Sequence, residues 1–141
     1  YNRGVPLSER IHRKIYELIG TELDKGSLDI TFHRDDYRER LVMPEVKGTD
    51  IPLSLNGKIV VLVDDVLYSG RTVRAALEEL NSFGRASKVQ LAVLVDRGHR
   101  ELPIKADYVG KNIPTHEGEH VSVFLKETDK NDSVLLIRDR D

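Results

Sequence analysis

The pattern of apolar and polar positions along the chain predicts two central strands, each a short apolar run followed at once by polar residues. Four apolar residues at 60–63 lead into Asp64 and Asp65, and a mostly apolar run at 89–95 leads into Asp96. Short runs rich in β-branched residues are typical of strands buried on both faces of a parallel sheet. The carboxylates are then expected at the carboxyl ends of the strands, where open α/β sheets bind their ligands.

Two segments have the periodicity of amphipathic helices. The first has Pro6 in its first turn, Gly20 at its end and an apolar stripe formed by Leu7, Ile11, Ile15, Leu18 and Ile19. The second follows the acid pair, with Thr72 as the expected N-cap and Gly84 at its end. Its apolar face consists of Val73, Ala76, Leu77, Leu80 and Phe83.

The rest of the chain alternates predicted strands with loops. Strands are expected at 28–32, 121–125 and 134–137, and loops at 33–47 and 105–115. The highly charged loop at 33–47 is long, and such loops in compact domains are usually functional or disordered. Alternating strands and helices predict a single α/β domain with a doubly wound sheet over the whole chain.

Composition excludes several classes of protein. The chain has 141 residues and a formal net charge of −2, so any contact with nucleic acid needs a local basic surface. It contains no cysteine, which rules out disulfides and thiolate metal sites. No apolar run approaches the ~20 residues of a membrane span, and no signal-peptide pattern is present. These features predict a cytoplasmic protein that does not interact with membranes.

The residues after the acid pair suit an anionic ligand. The segment 66–72 offers hydroxyls and backbone N–H groups at a helix N-terminus, which is a ready anion site, and Gly70 allows close approach. Carboxylates beside an anion site suit a ligand with both hydroxyls and phosphate, such as a sugar phosphate. Paired acids at a strand end also occur in phosphoacceptor receiver domains and metal-dependent phosphatases. Neither class predicts Ser-Gly-Arg-Thr at a helix start.

Two further segments are expected beside this site. The polar residues at 96–100 follow the second central strand, and a Tyr-Val-Gly segment lies at 108–110. Backbone groups and an apolar side chain such as Val109 suit recognition of a planar base.

The residues at 60–72 resemble the phosphoribosyl-pyrophosphate (PRPP) motif of type I phosphoribosyltransferases. The resemblance implies a type I phosphoribosyltransferase fold: a mainly parallel sheet flanked by helices, with a small hood region. It also implies that Asp64 and Asp65 hold the ribose 2′- and 3′-hydroxyls. The loop that binds the 5′-phosphate would consist of Val66, Leu67, Tyr68, Ser69, Gly70, Arg71 and Thr72.

A closer resemblance covers essentially the whole chain. The segments 95–104 and 106–115, with shorter matches at 29–31, 34–36 and 47–52, are similar to the PyrR family of pyrimidine operon attenuation regulators. The resemblance implies binding to pyrimidine operon leader RNA when uridine nucleotides (UMP or UTP) are plentiful, which promotes termination of transcription. It also implies uracil phosphoribosyltransferase activity, which makes UMP and diphosphate from uracil and PRPP with Mg²⁺.

The same resemblance implies roles for individual residues. Arg3 matches the family's diphosphate loop, in which Asn2 replaces the usual Thr, and Arg34 would contact the diphosphate from the charged loop. The family's first helix and first core strand would precede Tyr1, so a missing N-terminal segment is expected. The implied RNA contacts are Arg97, His99, Arg100, Lys105 and Lys111, although Arg97 could instead face the nucleotide. Clustered cations suit phosphates, and Arg also stacks on unpaired bases.

The expected cofactor and assembly follow from the resemblance. Mg²⁺ would be held through PRPP oxygens and water, without dedicated protein ligands. Members form homodimers or larger homo-oligomers. Two alternatives stay open: an RNA-binding regulator whose pocket only senses nucleotides, and a plain salvage phosphoribosyltransferase. The cationic residues at 97–100 disfavour purine salvage, because purine transfer does not need them.

Overall fold

The computed structural model describes residues 3–29, 50, 51 and 53–138. Two helices, five strands and one 3₁₀ turn form this part of the chain. In chain order they are α1 (Gly4–Ile19), β1 (Ile59–Leu67), α2 (Arg71–Leu80), the 3₁₀ turn (Asn81–Phe83), β2 (Lys88–Asp96), β3 (Tyr108–Asn112), β4 (Glu119–Phe124) and β5 (Ser133–Arg138). Among these residues, neither helix is both long enough and apolar enough to cross a bilayer.

The main sheet has the order β1-β2-β3, and both of its pairings are parallel. Asp64 lies opposite Val93 and Leu67 lies opposite Asp96, so β1 and β2 end at the same edge of the sheet. Strands β4 and β5 form a separate antiparallel hairpin. They correspond to the strands predicted at 121–125 and 134–137. The predicted mainly parallel α/β architecture is confirmed.

The two helices cover opposite faces of the main sheet. Leu91 and Val93 of β2 pack with Val73 of α2 in the hydrophobic core. Ala92 and Leu94 alternate with them along β2 and line an apolar groove together with residues of α1. Successive side chains of a strand point to opposite faces, which places one helix on each side.

Helix α2 buries the predicted face but begins differently from the prediction. Val73, Ala76 and Leu80 are buried, and the 3₁₀ turn carries the chain on to Gly84. The N-cap is Gly70, not Thr72, because Gly70 adopts a left-handed conformation with φ +94° and the helix starts at Arg71. The Ser69 hydroxyl accepts the Arg71 N–H at 3.2 Å, which is the role expected of a cap.

Helix α1 has the predicted bounds but only part of its apolar stripe is covered. Gly20 ends the helix in a left-handed conformation and donates its N–H to the Tyr16 carbonyl. Leu7 and Ile11 face the groove on the sheet. In contrast, Leu18 is 80% exposed and Ile19 is 64% exposed. Packing within the described residues therefore holds only the first half of α1.

Three predictions about strands need correction or lie outside the structure. β1 continues through Asp64 and Asp65 to Leu67, and its first half is not buried, since Ile59 is 66% exposed. In the part of the chain that the structure describes, β1 pairs only with β2. The predicted loop at 105–115 contains β3, an exposed strand whose pattern does not alternate. The predicted strand at 28–32 lies mostly outside the described residues, and the predicted loop at 33–47 lies entirely outside them.

Gly70 is needed both for its backbone conformation and for the space around it. A Cβ at Gly70 would lie 3.0 Å from Ile104 Cγ1, whereas a Cβ at Gly57, with φ +70°, would meet nothing within 4 Å. Gly57→Ala is expected to cost only the left-handed backbone penalty of about 1–2 kcal/mol. Gly70→Ala is expected to cost about 1–3 kcal/mol more, because Ile104 must move. Urea unfolding of both variants measures the difference, and equal losses would contradict it.

Candidate functional site

The acid pair is fixed by hydrogen bonds to its own backbone. Asp64 Oδ1 accepts the N–H of Asp65 at 2.8 Å, and Asp65 Oδ1 accepts the N–H of Val66 at 2.9 Å. Both side chains are half-buried near the end of β1. The carboxylates are thus held in set orientations close to the strand end, where a sugar with vicinal hydroxyls would approach them.

The predicted phosphate loop is shared between a strand, a short loop and a helix. Val66 and Leu67 belong to β1, while Arg71 and Thr72 belong to the first turn of α2. The Leu67 side chain is only 2% exposed and packs in the core, so only its backbone is available to a ligand. The loop proper is Tyr68, Ser69 and Gly70, and it leads into the N-terminus of α2, where N–H groups attract anions.

The loop after β2 is bound directly to this phosphate loop. The N–H groups of Glu101 and Leu102 both donate to the Ser69 carbonyl, at 2.9 and 3.1 Å. Arg71 Nε lies 2.8 Å from Glu101 Oε1 in an exposed ion pair. Arg71, predicted to bind phosphate, is therefore engaged with the neighbouring loop in this conformation.

Arg100 joins the phosphate loop to the loop after β2 through hydrogen bonds. Its guanidinium donates to the Tyr68 carbonyl at 2.8 Å, to the Ile104 carbonyl at 2.9 Å and to Asp96 Oδ2 at 2.6 Å. It therefore holds the end of β2, the phosphate loop and the segment before β3 together. Its predicted contact with RNA stays a prediction, but these donors point into the protein.

The ion pair with Arg100 changes the acidity of Asp96. Burial raises the pKa of Asp96, but the Arg100 hydrogen bond, the Gly98 N–H and the Arg100 charge together outweigh it. The net effect is a pKa below the ordinary value of an aspartate. Asp96 is therefore ionised at neutral pH and acts as an acceptor.

Arg97 is buried beneath Tyr68. It is 8% exposed, its carbon Cζ lies 4.1 Å from the centre of the Tyr68 ring, and it donates to the Glu119 carbonyl at 2.6 Å. Its Nε also donates to Thr115 Oγ1 at 3.3 Å. Arg97 is therefore held under Tyr68 by contacts within the protein, and its predicted contact with RNA or with the nucleotide stays a prediction.

His99 belongs to the same cluster but lies nearer the surface. It adopts a left-handed conformation with φ +64°, and its Nε2 lies 2.6 Å from the Thr115 carbonyl oxygen. Its ring centre is 6.2 Å from that of Tyr68. His99 thus contacts both the Tyr68 ring and the Thr115 backbone.

Two lysines complete the predicted basic surface. Lys105 precedes β3 and Lys111 lies near its carboxyl end, and both are exposed. Val109 of β3 lies opposite Val93, which lies opposite Asp64, so the three occupy one row across the sheet. The row spans two strand spacings, about 10 Å.

Arg3 precedes α1 and lies in an ion pair. Its NH2 group lies 2.8 Å from Asp129 Oδ1, and both side chains are largely buried. Arg34, the other predicted diphosphate contact, lies outside the described residues.

The carboxylates present suit a hydrated magnesium ion. Asp64 and Asp65 offer hard oxygen ligands, which Mg²⁺ prefers. Within the described ranges, no group of three or more acidic or histidine side chains is arranged to hold a metal. A hydrated ion that binds such carboxylates would bring Lewis-acid chemistry to a bound anionic ligand.

Two partners in this region could not be predicted from local sequence. Asp129 and Thr115 are distant in sequence from Arg3 and Arg97, and no short-range pattern links them.

Loss of the Asp96 charge is expected to lower the free energy of unfolding at neutral pH but not at strongly acidic pH. Because the pKa of Asp96 is lowered on folding, its ionised form stabilises the fold at pH 7, and this contribution disappears as pH falls below the ordinary aspartate value. Asp96→Asn is expected to cost about 1–2 kcal/mol at pH 7. Urea unfolding from pH 7 to pH 3 measures this difference, which is expected to shrink with acidity.

The control for this prediction is Glu101→Gln. It removes an exposed ion pair from the same loop and is expected to cost less than about 1 kcal/mol. If the free energy of unfolding differs between wild type and Asp96→Asn by the same amount at pH 7 and pH 3, the charge of Asp96 is not the cause of the stabilisation.

Comparison with known proteins agrees with this geometry. A family model described as the phosphoribosyl transferase domain matches residues 2–128. A bifunctional protein PyrR from Chloroflexus aurantiacus is 56% identical over 137 residues, covering 97% of this chain and 75% of that protein. Another from Clostridioides difficile is 58% identical and covers 95% of this chain and 76% of its own length.

Further relatives extend the match. A bifunctional protein PyrR from Deinococcus radiodurans is 55% identical across 100% of this chain and 77% of its own length. A crystal structure of a hypoxanthine phosphoribosyltransferase from Staphylococcus aureus is 33% identical over 46% of this chain and 35% of its own, with a TM-score of 0.42. On the family model and these relatives, the chain belongs to the phosphoribosyl transferase domain family and, within it, to the bifunctional PyrR proteins.

Proposed function

We propose that this protein transfers the phosphoribosyl group of PRPP to uracil and, with UMP in the same pocket, binds pyrimidine operon leader RNA to promote termination. The observation that carries the proposal is the placement of an oriented acid pair beside an anion loop at one sheet edge, in a chain related to bifunctional PyrR proteins. Both activities belong to the cytoplasm, where the operon is transcribed.

The transfer step relies on positioning and charge. Asp64 and Asp65 hold the ribose hydroxyls, and the loop from Tyr68 to Thr72 holds the 5′-phosphate with backbone N–H groups. The C–N bond to uracil forms as the C–O bond to diphosphate breaks, and the ribose carries positive charge in between. Preorganised negative charge from the two carboxylates stabilises that charge without a covalent nucleophile.

The leaving diphosphate takes the electrons of the broken bond. Arg3 offsets its charge, and Arg34 is proposed to do the same from the segment outside the described residues. Mg²⁺ bound to PRPP would neutralise part of the diphosphate charge and assist its departure. The N–H proton of uracil is lost as the new bond forms, with the diphosphate or water as the acceptor.

The RNA surface is proposed to consist of His99, Lys105 and Lys111. The two lysines are exposed, before β3 and near its carboxyl end. Their charges suit phosphates, and the imidazole of His99 suits stacking on an unpaired base. Arg97 is omitted because it is buried, and Arg100 contributes by holding the loop that carries these residues.

Regulation follows from linkage between the two sites. A nucleotide that binds the RNA-competent arrangement more tightly must raise the affinity for RNA by the same factor. The phosphate loop touches the RNA-side loop through Arg97, His99 and Arg100, all of which contact Tyr68. We further propose that the protein acts as a homodimer or a larger homo-oligomer.

Removing either carboxylate is expected to abolish most of the transfer activity. Asp64→Asn and Asp65→Asn each remove a charged acceptor for a ribose hydroxyl, worth about 1.5–3 kcal/mol, so kcat/KM for PRPP is expected to fall about 10- to 100-fold. Diphosphate release in the presence of uracil and PRPP measures the effect. Glu78→Gln, an exposed position on α2, is the matched control and should retain wild-type rates.

The outcome distinguishes the open alternatives. Full activity in both variants would contradict the assigned role of the acid pair. Wild-type protein that binds leader RNA in response to UMP but releases no diphosphate would indicate a regulator whose pocket only senses nucleotides. Transfer to uracil without UMP-dependent RNA binding would indicate a plain salvage enzyme.

The two lysines are expected to contribute to RNA binding through phosphate contacts. Lys105→Ala and Lys111→Ala should each weaken binding and reduce the slope of log K against log salt by about 1. Binding to leader RNA with UMP, titrated at several salt concentrations, measures both quantities. Lys88→Ala is the control, because Lys88 is exposed at the opposite, amino end of β2. Equal losses in all three variants would show that only net charge matters.

A further inference from the structure

Arg3 is held by a residue at the far end of the chain. Its Nε donates to Asp129 Oδ2 at 3.4 Å and its NH2 donates to Asp129 Oδ1 at 2.8 Å. The two nitrogens thus face the two carboxylate oxygens side by side, with side chains only 16% and 15% exposed. A paired contact of this kind fixes the plane of a guanidinium as well as its position.

Asp129 is itself rigidly placed. Its Oδ2 accepts the Leu125 N–H at 2.7 Å and the Thr128 hydroxyl at 3.0 Å, and its own N–H donates to the Leu125 carbonyl at 2.7 Å. The turn after β4 therefore closes around this carboxylate. Because both oxygens have set directions, Asp129 can impose an orientation on the side chain that binds it.

A second arginine docks α1 on the same turn without touching Asp129. Arg10 donates to Asp132 at 2.8 Å and to Glu127 in an exposed network. Both arginines thus join the start of α1 to this turn, but through different carboxylates: Asp129 binds Arg3, whereas Glu127 and Asp132 bind Arg10. The chain itself offers a way to separate these two contacts.

We propose that Asp129 is a positioning residue for the diphosphate end of the ligand, which it serves by orienting the guanidinium of Arg3. The inference rests on the proposed function, in which Arg3 contacts the leaving diphosphate. Asp129 does not touch the ligand. It limits the conformations of a long side chain, so less side-chain entropy is lost when diphosphate binds.

Asp129→Asn is expected to weaken diphosphate binding selectively. The amide loses the charge and presents N–H donors to a guanidinium that has only donors. The dissociation constant for magnesium diphosphate and the KM for PRPP are expected to rise roughly 10-fold, while the KM for uracil stays within about 2-fold. Calorimetry with magnesium diphosphate gives the first value, and transfer kinetics give the other two.

Two comparisons separate orientation from docking. Asp132→Asn loosens the same turn through Arg10 and should leave the diphosphate dissociation constant within about 2-fold of wild type. In an Arg3→Ala background, Asp129→Asn should have no further effect on diphosphate binding, because Asp129 acts only through Arg3.

Each other result would overturn the inference. Equal effects of Asp129→Asn and Asp132→Asn would show a docking role only, and unchanged binding would show no role. Tighter binding in Asp129→Asn would show that Asp129 competes with the ligand for Arg3. A wild-type protein that binds no diphosphate would also overturn it.

The same measurements keep this inference separate from the proposed function. Diphosphate binding that Asp129→Asn weakens, in a protein that does not use uracil, supports the inference while the transferase proposal fails. Transfer to uracil with an unchanged KM for PRPP in Asp129→Asn leaves the proposed function in place and removes the inference.

Discussion

The parallel register between β1 and β2 is the constraint on which the site depends. Asp64 is opposite Val93 and Leu67 is opposite Asp96, so the polar segments after both strands must leave the sheet at the same edge. The core formed by Leu67, Leu91 and Val93 stabilises this register, because a slip by one residue would turn the apolar side chains of a strand to the other face. The backbone bonds from the later loop to the Ser69 carbonyl are possible only in this register.

The same constraint decides what the cationic residues after β2 can do. Arg97 and Arg100 follow β2 and lie next to the phosphate loop. Arg97 contacts the Tyr68 ring, and Arg100 donates a hydrogen bond to the Tyr68 carbonyl. Buried guanidinium groups need partners, and this edge supplies the Thr115, Glu119 and Tyr68 oxygens. The positive residues after β2 therefore fall into two groups. Arg97 and Arg100 donate hydrogen bonds within the protein, whereas Lys105 and Lys111 are exposed. The contacts between Tyr68 and the loop after β2 give one physical route for the coupling that the proposed function includes.

Much of this arrangement was predictable from local sequence. The helices α1 and α2 follow periodic apolar patterns and the strands β1, β2, β4 and β5 follow short apolar runs, and the structure confirms that these elements are present. β3 was missed because an exposed strand of Tyr, Val, Gly, Lys and Asn shows no alternation, and its strand geometry comes only from pairing with β2. Thr72 was a wrong cap because the left-handed Gly70 places the helix start one residue before it. The burial of Arg97 and the pairing of Arg3 with Asp129 depend on distant residues, which no local pattern encodes.

The position of α1 shows how charge can replace apolar packing in a small sheet domain. The second half of its stripe is exposed, so its orientation relies on Arg3 and Arg10 at the turn after β4. The hydrogen bond from Arg10 lowers the pKa of Asp132 to about 2, and that from Arg3 lowers the pKa of Asp129. These carboxylates therefore stay ionised at neutral pH. Single exposed ion pairs contribute little to the free energy of folding. Several ion pairs that join one helix to one turn nevertheless restrict the direction of the helix. The direction of α1 matters because Arg3, the residue that precedes it, is proposed to contact the ligand.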